Sequence, residues 1–162
     1  MKIRIPAVSV LVLMVSLSYA LKAQKTLDRE KYYSIIQQDE LMPIDEELEA
    51  LNTSSVKGKP AFMGALMMKK AGMIKGASKK LKLFKKGSNQ LEAAITEDPE
   101  NAEYRFLRLI IQEHAPGIVN YHNDKAQDKE LIVSSFKKFP SELQKAVSNY
   151  SSNSKTLDPK DF

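Results

Sequence analysis

An all-α fold is what this 162-residue sequence predicts, as a compact bundle of about six to seven helices. Three observations carry that expectation. Apolar residues recur at spacings of three and four, and no strand-like alternation persists anywhere. Proline and glycine fall between the periodic stretches, where helices must stop. The hydrophobic fraction of 43% and charged fraction of 28% match an ordinary soluble domain, long enough to bury a core. Cysteine is absent, which excludes disulfides and thiolate zinc sites and leaves packing to hold the fold.

The N-terminal segment reads as an export signal. Lys2 and Arg4 precede an apolar run from Val8 to Leu17, interrupted only by Ser9 and Ser16. Ser18 and Ala20 are small and spaced for signal peptidase, so cleavage is expected after Ala20, with Ala23 as the alternative. The run is short for a bilayer span, which takes ~20 residues, although an uncleaved anchor remains the competing reading. The signal has a bacterial pattern and implies a periplasmic or secreted protein. Residues 1–20 are thus expected to be a signal peptide, 21–155 a helical domain, and 156–162 a C-terminal tail.

Each helix has its own signal. Thr26 and Asp28 can cap a first helix carrying Tyr32, Tyr33, Ile35 and Ile36. Pro43 suits the first turn of a second, with Leu41, Ile44, Leu48 and Leu51 as its stripe. Its acids crowd the N-terminal end, where the helix dipole favours them. Pro60 opens a third helix, with Phe62, Leu66 and Met73 on one side. Beside them, Ala61, Ala65, Met68 and Gly72 form a strip small enough for close approach. A turn is expected near Gly76. The fourth helix runs from about Ser78 to Glu97, with Leu81, Phe84, Ser88, Leu91 and Ile95 inward and its lysines mostly outward. Asp98-Pro99 stops it, because proline disfavours helical geometry in the preceding residue.

Asn101 is a good cap for the fifth helix. There Phe106, Leu107, Leu109, Ile110 and Ile111 cover most of the circumference, the mark of a central helix. Pro116-Gly117 ends it. Asn123 or Asp124 caps a sixth, with Ile132, Phe136 and Phe139 inward. After Pro140, Ser141 and Gln144 have the spacing of a capping box for a seventh, whose stripe is Leu143, Val147 and Tyr150. Leu157 and Phe162 are the apolar residues able to dock the polar tail.

Two resemblances follow. The stretch GSNQLEAAITEDPEN, Gly87 to Asn101, resembles the second helix and turn of a tetratricopeptide repeat. Gly87, Leu91, Ala94 and Pro99 fit the repeat's small, bulky, alanine and proline spacings. Ala71, Lys75 and Ser78 depart from its tryptophan, glycine and tyrosine, so half of one repeat is covered. The resemblance implies a repeat-like hairpin within the bundle and a peptide-binding role. The run NAEYRFLRLIIQEHAP, Asn101 to Pro116, with the preceding Asp98-Pro99, is similar to a group of small exported bacterial proteins. They share the length, the signal, a Lys-rich helical pair and the closing Asp-Phe. That resemblance implies an all-helical fold and export, and supplies no activity.

Two features carry candidate chemistry. Arg105, Arg108 and Gln112 share one strip of an otherwise apolar helix. Either they meet acids of neighbouring helices, or they form an anion site for a carboxylate, phosphate or peptide C-terminus. Residues 57–86 carry ten lysines and no acid, against eight acids in residues 25–50. Lys69, Lys70, Lys75, Lys79, Lys80, Lys82, Lys85 and Lys86 are therefore candidates for a solvated face, for pairing with the acidic segment, or for contact with anionic lipid or polysaccharide. Nucleic acid is not expected, given the export signal and few aromatics among the lysines. His114 and His122 match no metal spacing, no serine lies in a nucleophile elbow, and no glycine-rich loop cradles phosphate. No cofactor is expected. The expected function is a non-enzymatic interaction or structural role in the cell envelope. An anionic-surface binder is the first alternative, and a small-anion protein or enzyme using Arg105 and Arg108 the second.

Overall fold

The computed structural model describes residues 26–162, and the expected signal peptide with its cleavage points lies outside them. Among the described residues there are seven α-helices and no strand: α1 Arg29–Gln37, α2 Leu41–Thr53, α3 Lys59–Met73, α4 Ala77–Glu97, α5 Ala102–His114, α6 Lys125–Ser135 and α7 Ser141–Ser151. The all-α expectation holds. No described helix is long and apolar enough to cross a membrane.

Local chemistry sets the ends of these helices. Asp28 caps α1 by accepting the Lys31 N–H at 3.0 Å, and Asn101 caps α5 by accepting the Tyr104 N–H at 3.3 Å. Pro60 sits in the first turn of α3, where its missing N–H costs nothing. The expected box at α7 does not form. Pro140 occupies the cap position, Ser141 is already helical, and Gln144 Nε2 donates to the Phe139 carbonyl at 3.0 Å.

The most extensive helix contact is the antiparallel α3/α4 hairpin. Its crossing point pairs Gly64 with Gly87, beside Met68 of the expected strip; Gly72 of that strip is exposed, and a Cβ there would meet no atom within 4 Å. A Cβ on Gly64 would lie 2.6 Å from the Gly87 carbonyl oxygen, and one on Gly87 would lie 2.5 Å from that of Gly64. Bringing Gly87 inward sets the buried face of α4 as Phe84, Gly87, Leu91, Ala94 and Ile95. Ser88 is therefore only half-buried and Leu81, expected inward, is 46% exposed.

α5 is the central helix. Ala102, Tyr104 and every residue from Phe106 to Gln112 are buried. It packs on α3, α4 and α6. Phe106 also meets Tyr33 of α1 and Tyr150 of α7, with ring centroids 5.4 and 5.6 Å apart. Arg29 grips Glu103 through two hydrogen bonds of 2.8 and 2.9 Å, which places the N-terminal ends of α1 and α5 together.

The tail packs back onto α5 and α6. Leu157 is buried and Phe162 lies against Phe136, centroids 4.5 Å apart. Glu113 accepts from Tyr150 Oη and Ser154 Oγ at 2.7 Å each, and from the Lys155 N–H at 3.1 Å. Burial pushes the Glu113 carboxyl up, but hydrogen bonds from Thr156, Tyr150 and Ser154 outweigh burial and hold it below the ordinary value of 4.5. A depressed carboxyl stabilises the fold above its unfolded pKa, and that contribution fades as pH falls through the folded one. Amide-exchange protection at Thr156 and Leu157 should therefore drop below about pH 4.5, while that of α5 persists. Glu113→Gln should expose the same amides at neutral pH; unchanged protection in this variant would assign the tail's docking to Leu157, Phe162 and the Lys129 contacts with Thr156 and Asp161.

Candidate functional site

The arginine strip of α5 faces α6, and one buried carboxylate answers it. Asp128 lies on the inner face of α6, one turn before the fully buried Ile132. Arg108 Nε donates to Asp128 Oδ2 at 2.7 Å and Nη2 to Oδ1 at 2.6 Å, a bidentate clamp. Arg108 Nη1 reaches Glu92 of α4 at 3.0 Å and lies 3.4 Å from Asp124. Arg105 Nη1 donates to Asp128 Oδ1 at 3.3 Å, while its Nε and Nη2 donate to the Pro99 carbonyl. Tyr121 Oη donates to the second oxygen of Glu92.

The side chains of Arg108 and Asp128 are 5% and 0% exposed. Burial opposes the Arg108 charge. The Asp128 hydrogen bonds and the attraction of Asp128, Glu92 and Asp124 overcome it and raise the guanidinium pKa. Burial likewise pushes the Asp128 carboxyl upward, against the pull of both guanidinium groups. Tyr121 is driven up by burial and by its bond to Glu92, so it stays a neutral donor. Two guanidinium groups thus meet three carboxylates of the same chain. The strip binds an anion, and that anion is internal.

Gln112, the third member of the strip, is buried and does not join this cluster. Its backbone carbonyl lies 2.9 Å from His122 Nδ1, which ties the loop before α6 to the end of α5. Asp128, Glu92 and Tyr121 went unread in the sequence, and Asp124 was read only as a cap, where its side chain makes no capping hydrogen bond. A legible signal did exist: Asp124, Asp128 and Ile132 repeat at spacings of four, placing carboxylates on an apolar stripe.

The lysine candidates divide into two groups. Lys69 and Lys70, at the end of α3, pair with Asp39 at 2.8 Å and Asp45 at 2.5 Å. Lys80 Nζ donates to the Gly72 carbonyl at 3.0 Å. Lys75, Lys79, Lys82, Lys85 and Lys86 are exposed and form no ion pair among the described residues. The helical period sets Lys79, Lys82 and Lys86 on one strip with Lys85 beside it, opposite Phe84, Gly87 and Leu91.

A cavity of about 560 Å³ opens where α1, α3, α5 and α7 end. Met68, Phe84 and Ile111 line its base, and Asp39, Lys69 and His114 its rim. His114 Nδ1 lies 2.9 Å from the Ile110 carbonyl, which orients the ring without a carboxylate partner. Among the described residues no group of three histidine, aspartate or glutamate side chains is placed to hold a metal ion. No family model matches this chain, and neither a curated protein nor a solved structure matches it.

Proposed function

We propose that this protein acts by contact, as a non-enzymatic binding domain of the cell envelope, and that the lysine face of α4 is its contact surface toward anionic groups. The carrying observation is the division among the lysines. Two are spent on Asp39 and Asp45, whereas Lys75, Lys79, Lys82, Lys85 and Lys86 face water with no acid opposite them. From Lys79 to Lys86 spans about 10 Å at helical rise, so neighbouring charges lie within a Debye length of about 8 Å and act together. A face of this kind attracts phosphate or carboxylate arrays such as lipid headgroups and charged polysaccharide. The export signal read in residues 1–20 supports the envelope setting. Arg105 and Arg108 lend no support to a small-anion site or an enzyme, because Asp128, Glu92 and the Pro99 carbonyl already accept from their donors.

The test compares the full chain with a Lys79→Gln, Lys82→Gln, Lys86→Gln variant on neutral and anionic vesicles. Each lysine near an anionic membrane contributes about 1 kcal/mol, so the triple variant should bind anionic vesicles on the order of 100-fold more weakly. Raising salt should weaken the parent chain more steeply than the variant. Equal binding to neutral and anionic vesicles at low salt, by both chains, would refute the lysine reading.

A further inference from the structure

Four helices turn the same end toward one cavity. The space of about 560 Å³ is lined by Gln37, the last residue of α1, by Met73, the last of α3, by His114, the last of α5, and by Tyr150, next to last in α7. All four ends are C-terminal. The final carbonyls of a helix have no N–H beyond them to accept from, and each C-terminus carries about half a negative charge. The charged side chains on the wall do little to offset this. Lys69 is its one lysine or arginine among the described residues, and Lys69 Nζ already donates to Asp39 at 2.8 Å, so the pair sums to zero. The Lys69 side chain is 15% exposed and that of Asp39 88%, which leaves the carboxylate on the rim where an incoming group meets it. His114 adds an acceptor. Its Nδ1 lies 2.9 Å from the Ile110 carbonyl, which can only accept, so Nδ1 carries the hydrogen and Nε2 of the neutral ring does not. Beneath the rim, Met68, Phe84 and Ile111 are buried and apolar.

We infer that this cavity binds an organic cation, a primary ammonium group on a short aliphatic chain. The chain takes the place of water over Met68, Phe84 and Ile111, and the ammonium stays at the rim among Asp39 and the helix ends. The volume falls in the range of small-molecule sites, ~300–1,000 Å³. Met68 and Met73 present flexible thioethers, so the wall can adapt to chains of differing length. An aliphatic carboxylate of the same size could pair with Lys69, but it would face Asp39 and four negative helix ends. A bare inorganic cation would leave the apolar base unused. The site is separate from the lysine face of α4 and does not rest on it.

The test titrates the full chain, labelled at its methionine and isoleucine methyl groups, with octylammonium, octanol and octanoate, followed by NMR. Octylammonium should shift the Met68 and Ile111 methyls saturably and bind about tenfold more tightly than octanol, the combined pull of four helix ends. Octanoate should bind most weakly. Lys69→Met keeps the aliphatic stem and removes the competing cation, so it should tighten octylammonium binding about threefold; Asp39→Asn should weaken it by a similar factor. Neither should change octanol binding. Both positions lie at the rim, so circular dichroism should show both variants folded. The Lys79→Gln, Lys82→Gln, Lys86→Gln variant should bind octylammonium as the parent does, which keeps this result independent of the vesicle experiment. Octanoate bound at the same methyls as tightly as octylammonium would overturn the inference. So would octylammonium shifts confined to Met42, 71% exposed beside the acids of α2, or no shift at Met68 and Ile111 at all.

Discussion

Asp128→Ala should lower the unfolding free energy by about 3–5 kcal/mol, the cost of leaving a buried charge without its partner. Arg108 is confined between α4, α5 and α6, with little water to replace the lost carboxylate. Glu92 and Asp124 remain within reach of Nη1, but neither can approach Nε and Nη2 as Asp128 does. Urea denaturation followed by circular dichroism would show the loss as a fall in midpoint at nearly constant slope. A second variant separates charge from packing. Arg108→Met with Asp128→Leu removes both charges and fills the space, and it should recover most of the loss. Glu92 and Asp124 are 38% and 45% exposed and can turn to water when Arg108 is gone. A loss below about 1 kcal/mol for Asp128→Ala would mean that Arg108 finds solvent the structure does not show it.

The second large effect belongs to the glycine crossing. Gly64→Ala and Gly87→Ala each place a methyl group against a backbone oxygen, at 2.6 and 2.5 Å. A side chain could rotate away, whereas a helix backbone can yield only by moving the helix. Overpacking of this kind costs about 1–3 kcal/mol, and a backbone obstacle puts both variants near the upper end. Alanine's better helix propensity offsets up to about 1 kcal/mol of that. Gly72→Ala is the internal control. It lies in the last turn of the same helix, and no atom stands within 4 Å of where the new methyl group would sit, so it should stabilise by about 0.5–1 kcal/mol. Thermal midpoints that fall for the first two and rise for the third would fix the cause as contact; a rise in all three would mean that α3 and α4 can separate freely.

Helix number, order and the central place of α5 were legible because each rests on local signals. Asp28, Asn101, Pro60 and Pro99 mark ends, and the run Phe106–Ile111 has too many apolar residues for one face. Rotation about the helix axis was less legible. In α4 both Leu81 and Leu83 are apolar, and Gly87 stands next to Ser88, so spacing alone admits two faces a residue apart. The choice is made by Gly64 on a different helix, which only the fold brings near. The same holds for the arginine strip. Its residues were visible, but their counter-ion lies 20 and 23 positions away, and no periodicity within α5 points to Asp128.

The α3/α4 hairpin also bears on how the chain reaches its structure. Its crossing joins residues 23 apart across a turn at Gly76, so little loop entropy opposes its closure. Contact between α1 and α7, by comparison, waits for more than 100 residues to arrange themselves, as the 115-residue separation of Glu30 and Lys145 records. The hairpin is thus the natural nucleus, with α5 condensing onto it and the two outer helices closing last. Until they close, the buried faces of Tyr33 and Phe106 stay open, and the interval between those events is when this chain is most exposed to aggregation.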